Sequence, residues 1–157
     1  MGGGRLKWYI LKIYDKFLKI LKYEKILTVG VYDMLHIGHI LLFQHAKELV
    51  EDSKLIVAVQ DSDYILKYKP NVKIAYTTEE RLYMVKSIRY VNDACVYKDV
   101  DVDIQNIDFD IFAKGPDQNH AGFQRAVEWC KEHGKEVVVI QRTEGISSTM
   151  LREYMKL

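Results

Sequence analysis

The stretch KILTVGVYDMLHIGH, residues 25–39, passes from an apolar run to a glycine, then to two histidines on either side of a second glycine. Ile26–Val29 is aliphatic and β-branched and reads as a strand. Ile40–Val50 reads as the helix after it, with Leu41, Leu42, Ala46 and Leu49 toward the inner face. The alternation continues outward. Leu55–Val59 is a continuous apolar run, as in a strand buried on both faces. Thr77–Ile88 opens on Thr-Thr-Glu-Glu, a cap followed by first-turn acids, and reads as a helix. Ala94–Tyr97 and Ile111–Ala113 read as short strands. His120–His133 reads as a helix stopped by Gly134, Val137–Ile140 as a strand, and Ser147–Met155 as a closing helix.

Strands alternating with helices predict an α/β fold, a Rossmann-like parallel sheet with helices on both faces. Such sheets bind ligands in the crevice at the carboxyl ends of their strands. Gly30, Gly115 and Gly145 follow strands, and Gly38 starts a helix. At these places backbone turns sharply or approaches a ligand closely.

The 157 residues suffice for one domain with a full core, and 48% hydrophobic content excludes a disordered chain. Cys95 and Cys130 are too few for a disulfide framework and lack metal-ligand spacing, so they read as reduced packing residues of a cytoplasmic protein. The net charge of +1 is uneven. Residues 1–24 carry six basic and two acidic side chains; residues 25–157 carry 17 basic and 20 acidic. An acidic body argues against general nucleic-acid binding, which needs a broad basic face. The chain divides into a basic amphipathic helix over 1–24 and a body over 25–157.

Within that first segment, Ile20, Ile13, Leu6, Phe17, Ile10, Leu21, Tyr14, Leu18 and Leu11 fall on about half the helical wheel, with Lys12, Asp15, Lys16, Lys19 and Lys22 opposite. The lysines exclude a membrane-spanning helix, and no cleavage site marks a signal peptide. The apolar face is expected to pack on its own domain or a partner subunit, or to dock peripherally on an anionic membrane.

The chemistry concentrates in two places. His36, Gly38 and His39 flank a helix start, where free backbone N–H groups and the helix dipole suit phosphate and imidazoles can stabilise growing negative charge. There the bare backbone of Gly38 would let a nucleotide lie close. Arg142-Thr143-Glu144-Gly145-Ile146-Ser147-Ser148-Thr149 joins the last strand to the last helix. It offers a guanidinium fork and three hydroxyls.

VGVYDMLHIGH (29–39) followed by RTEGISST (142–149) resembles the cytidylyltransferases of the HxGH nucleotidyltransferase superfamily. Length and motif order are closest to the glycerol-3-phosphate cytidylyltransferases. The resemblance implies transfer of CMP from CTP to a small phosphate monoester, giving a CDP-linked product and pyrophosphate. It implies Mg²⁺ carried by the triphosphate with no dedicated protein cluster, a homodimer, and a role in capsule or cell-surface polymer synthesis. It also implies roles for single residues. His36, His39, Lys67 and Arg142 would be catalytic. Val29, Gly30, Val31, Gly38, Lys69, Arg89, Gly115, Asp117, Gln118, Thr143, Ile146, Ser147, Ser148 and Thr149 would bind the nucleotide. Asp33 would organise metal or acceptor.

The chain departs from that family after Ile111–Ala113. Gly-Asp-Asp-Trp is usual there; this sequence has Gly115-Pro116-Asp117-Gln118. Pro116 removes a backbone donor and Gln118 replaces an aromatic ring. The string is similar to that of archaeal FAD synthetases, so an ATP-dependent adenylyltransferase of the same fold is the alternative. A non-catalytic, membrane-recruited nucleotide-binding module is another.

Overall fold

The computed structural model describes residues 3–22 and 25–156. An N-terminal helix, α1 (Gly3–Lys22), precedes the body. The body runs β1 (Lys25–Gly30), α2 (Ile37–Lys47), β2 (Lys54–Gln60), α3 (Ser62–Tyr68), α4 (Thr78–Lys86), β3 (Asp93–Tyr97), α5 (Val100–Asp103), β4 (Ile111–Lys114), α6 (Ala121–Glu132), β5 (Glu136–Val139) and α7 (Ser148–Tyr154).

The five strands are parallel in the order β3-β2-β1-β4-β5. The apolar runs of the central strands β1, β2 and β4 are buried because helices cover both faces, while the edge strands β3 and β5 stay partly exposed, at Val96 and Val139. One face packs Phe43 and Ala46 of α2 and Val85 of α4 onto Ile26, Val57 and Ala113. The other packs Val100 of α5 and Phe123, Ala126 and Cys130 of α6 onto Leu27, Val29 and Phe112. β1 and β4 are neighbours, yet the helices that follow them cover opposite faces. Their chains therefore diverge at the carboxyl edge and open a crevice there.

Predicted elements match within one to three residues, with three differences. The inner face of α2 is Phe43 and Ala46; Leu41 and Leu42 are half-buried, and Leu49 is exposed in the turn past the helix end. α3 is unforeseen, because seven residues mixing Lys, Tyr and Asp carry no clear period. α5 and the 3-10 turn after it (104–106) fill a stretch to which the sequence reading assigns no element, fastened by the buried Val100 and Ile104. Residues 1, 2, 23 and 24 of the proposed N-terminal segment lie outside the described residues. The residues of α1 from Gly4 to Leu18 are exposed, so that part of its apolar face does not pack on its own domain; Ile20 and Leu21 of the same face have side chains outside the described ones.

Candidate active site

His36 is the N-cap of α2, and its ring folds back over the helix start. The Gly38 N–H donates to His36 Nδ1 at 3.0 Å, and the His36 N–H donates to His39 Nδ1 at 3.3 Å. A nitrogen that accepts carries no proton, so each ring holds its proton on Nε2. The rings stack with centroids 3.9 Å apart. Burial pulls the His36 pKa below its ordinary value, and the positive charge of Arg142 adds to that. Burial first, then His36 and Arg142, pull His39 down to about 4. At neutral pH the pair is two uncharged Nε2–H donors. This suits hydrogen bonding to phosphoryl oxygens as charge grows on them.

The two glycines of the motif serve the protein's own side chains. A Cβ on Gly38 would sit 2.8 Å from His36 Cε1 and 3.3 Å from Ile146 Cγ2, so its bare backbone makes room for the His36 ring. A Cβ on Gly30 would meet the Tyr32 ring at 2.7 Å. That buried ring packs edge-on against His39 and Phe43. Tyr32 (φ 53°) and Met34 (φ 52°) both adopt left-handed backbone, which side chains other than glycine occupy only where surrounding contacts hold them.

The second motif closes on the first. Besides the contact of Ile146 with Gly38, the Ser148 hydroxyl donates to the Asp33 carbonyl at 3.0 Å. Ser147 caps α7 by accepting from the Met150 N–H, and Thr149 is exposed. Arg142 stands exposed beside half-buried Thr143 and pairs with Asp117 from the β4–α6 loop. Three predicted groups thus converge at the carboxyl edge: the histidines, Arg142–Asp117 and the Ile146–Ser148 turn. Val29 and Val31 take part through their carbonyls, which accept from Gln118 Nε2 and Arg81 Nη1. Gln118 Oε1 also accepts from the Gly115 N–H at 2.8 Å, so both ends of its amide hold strand termini together.

Other predicted residues stand differently. Asp33 is buried, and its carboxylate accepts from the Ala75 N–H at 2.8 Å, the Tyr76 N–H at 3.1 Å and Arg152. These bonds tether residues 75–76 and α7 to the end of β1. Lys67 belongs to α3, where its ammonium lies over the Tyr64 and Tyr68 rings, and Lys69 is the exposed C-cap of that helix. Neither is brought against the histidines. Arg89 stands apart from these groups: α4 runs back along the sheet, so Arg89 lies just before β3 at the amino edge.

Three residues escaped sequence reading. Arg81 is fully buried and donates to the carbonyls of Val31 and Gln60, both at 2.7 Å, and to the hydroxyls of Ser62 and Thr78. Burial lowers its pKa, and the charges of Asp33 and Asp61 work the other way. In sequence it is one charge in Glu-Glu-Arg, indistinguishable from a solvated face. Lys114, 9% exposed, ends β4 and donates to the Gly115 carbonyl at 3.1 Å. His120 caps α6 as His36 caps α2, with the Gly122 N–H on its Nδ1 at 3.2 Å. The recurrence of His-x-Gly at 36–38 and 120–122 was the available signal.

A family model described as cytidylyltransferase-like matches residues 27–154. The chain belongs to the cytidylyltransferase-like family, and with it to the nucleotidyltransferases. It is 34% identical over 134 residues to glycerol-3-phosphate cytidylyltransferase of Staphylococcus aureus, covering 83% of this chain and 93% of that one. The enzyme of that name from Bacillus subtilis is 32% identical, with coverage of 83% and 95%. An FAD synthase of Thermococcus kodakarensis is 32% identical over 120 residues, covering 74% of this chain and 78% of that one. A lipopolysaccharide core biosynthesis protein of Thermoplasma volcanium superposes with a TM-score of 0.60 at 22% identity, covering 77% and 97%, which shows the shared fold. Among the described residues no group of three or more His, Cys, Asp or Glu converges on a metal site.

Proposed function

We propose that this protein transfers CMP from CTP to a small phosphate monoester. An acceptor phosphate oxygen attacks the α-phosphorus in line, the bond to the bridging oxygen breaks, and pyrophosphate leaves. Mg²⁺ arrives with the triphosphate as part of the substrate. His36 and His39 donate from Nε2 to phosphoryl oxygens. Arg142 exchanges Asp117 for the β- and γ-phosphates, helped by Thr143, Ser148 and Thr149. Asp117, released, faces the ribose or base beside Gly115 and Lys114, and Lys67 and Lys69 serve the acceptor side. The observation that carries this reading is the meeting of two neutral Nε2–H donors with Arg142 at one helix start. Such a constellation acts by positioning and charge stabilisation and needs no covalent intermediate. Arg-Thr-Glu-Gly-Ile-Ser and the glycerol-3-phosphate cytidylyltransferase relatives support CTP.

Gly115-Pro116-Asp117-Gln118 favours a second reading, an ATP-dependent adenylyltransferase like the FAD synthase relatives. Pyrophosphate release, measured with MgCTP or MgATP against sugar, polyol and amino-alcohol phosphates and riboflavin phosphate, separates the two. Turnover with CTP is expected; turnover with ATP alone overturns the first reading, and silence with every pair overturns both.

A further inference from the structure

α1 is left without a use by the chemistry above. Its described side chains are all exposed, with Leu6, Ile10, Ile13 and Phe17 showing between 55% and 66% of their surface. On the helical wheel an arc from Ile13 through Leu6, Phe17, Ile10 and Leu18 to Leu11 is apolar or tyrosine, interrupted by Lys7 alone. Arg5, Lys12 and Lys16 occupy the other half with Asp15 and Trp8, and the Lys12 ammonium lies 4.0 Å from the Trp8 ring centre. Over residues 3–22 six basic side chains face one acid. No described helix is long and apolar enough to cross a membrane.

We propose that α1 docks the protein on an anionic membrane surface, lying in the plane of the interface. Ile13, Leu6 and Phe17 enter the acyl boundary, and the cations lie among acidic headgroups. Charge decides the occupant. Two copies of α1 would bring five net positive charges against five, whereas acidic lipid neutralises them. Width agrees: the apolar arc covers about half the circumference, more than the narrow seam that one partner helix covers. A flat hydrocarbon boundary covers all of it. The body, with 20 acidic and 17 basic residues, is not drawn to the same surface. Two residues join α1 to the amino end of β1, and the crevice lies at the carboxyl end of that strand, about 20 Å away. The docked protein therefore keeps its crevice clear of the bilayer. The proposal holds whichever nucleotide the site uses.

The test is flotation of the full chain with vesicles of equimolar phosphatidylcholine and phosphatidylglycerol, alongside phosphatidylcholine alone. The chain should float with the first and not the second, and raised salt should release it. Ile13→Glu with Phe17→Glu should abolish flotation. Neutralising Arg5, Lys12 and Lys16 to Gln should lower partitioning by about fivefold per charge. Because the described side chains of α1, through Leu18, are exposed, both variants should keep the parent melting temperature, which excludes misfolding as the cause. Absence of flotation at low salt overturns the proposal, as does flotation indifferent to these substitutions. A concentration-dependent dimer lost in the Ile13/Phe17 variant, without vesicle binding, assigns the face to a second copy instead.

Discussion

The crevice has two walls built alike and used differently. At the end of β1, His36 caps α2 through the Gly38 N–H; at the end of β4, His120 caps α6 through the Gly122 N–H. The β1 wall adds a second ring, His39, stacked on the first and wedged by Tyr32, and Arg142 faces the pair. The β4 wall has one ring, resting on Phe123. The braces differ as well. Buried Arg81 ties the β1 wall to β2, and neutral Gln118 ties β4 to β1. A helix cap alone is architecture. It becomes a phosphate-handling group when a second donor and a cation are brought to the same point.

The largest expected contrast is between the braces. Arg81→Met removes the guanidinium that serves three backbone carbonyls, of Val31, Gln60 and Tyr76, and two hydroxyls, and should cost about 3–5 kcal/mol in denaturant unfolding. Gln118→Ala, at a more accessible place, should cost about 1–2 kcal/mol. Equal losses would mean that Arg81 is not the brace assigned to it. Next come the rings. His39→Ala should lower kcat/KM for pyrophosphate release roughly 100-fold, about 3 kcal/mol of transition-state stabilisation, on top of about 1 kcal/mol of stability for the lost capping-box bond. His120→Ala should lower stability by about 1 kcal/mol and leave turnover nearly intact. A catalytic loss at His120 as deep as that at His39 would erase the distinction between the walls.

The glycines give a smaller effect. In Gly38→Ala the new Cβ meets His36 at 2.8 Å; in Gly122→Ala it meets His120 at 3.1 Å. Gly38→Ala should displace the His36 ring and cost on the order of tenfold in kcat as well as about 1–2 kcal/mol of stability. Gly122→Ala should cost stability alone, and steady-state kinetics on the two variants decides. The mildest test is titration. Both histidines of the first wall have folded pKa values below 6.5, so the unfolded chain takes up protons first as pH falls. Their contribution to stability is complete above about pH 6.5 and is lost as pH drops, for His39 through about 4. Ring-proton NMR midpoints at or above 6.5 for either residue in the free protein would contradict the burial and charge environment described for them.

Much of the fold was legible because buried parallel strands are continuous apolar runs and their helices carry caps. Leu55–Val59 and the Thr77 capping box are examples. The site was legible where chemistry is local: His36, Gly38 and His39 lie within four residues. It was not legible where a role depends on a partner far along the chain. Asp33 and Arg152 are separated by 119 positions, Gln118 and Val29 by 89. Nothing near Arg81 in sequence tells a buried guanidinium from a solvated one. Arg89 is the converse case: it stands in a family-like string, and the direction of α4 carries it to the amino edge of the sheet, away from the histidines.

By itself the sequence determined the alternation of elements, the two loops that carry the chemistry, and a cationic amphipathic α1, because periodicity, capping and charge are properties of neighbours along the chain. Only the tertiary structure decided which charges are built into the interior and which stay at the surface. Asp33 and Arg81 are used up inside the protein, while Arg142 is exposed beside two neutral imidazoles. Burial and pairing depend on groups that folding brings together across the sheet, and these set whether a charge is structure or chemistry.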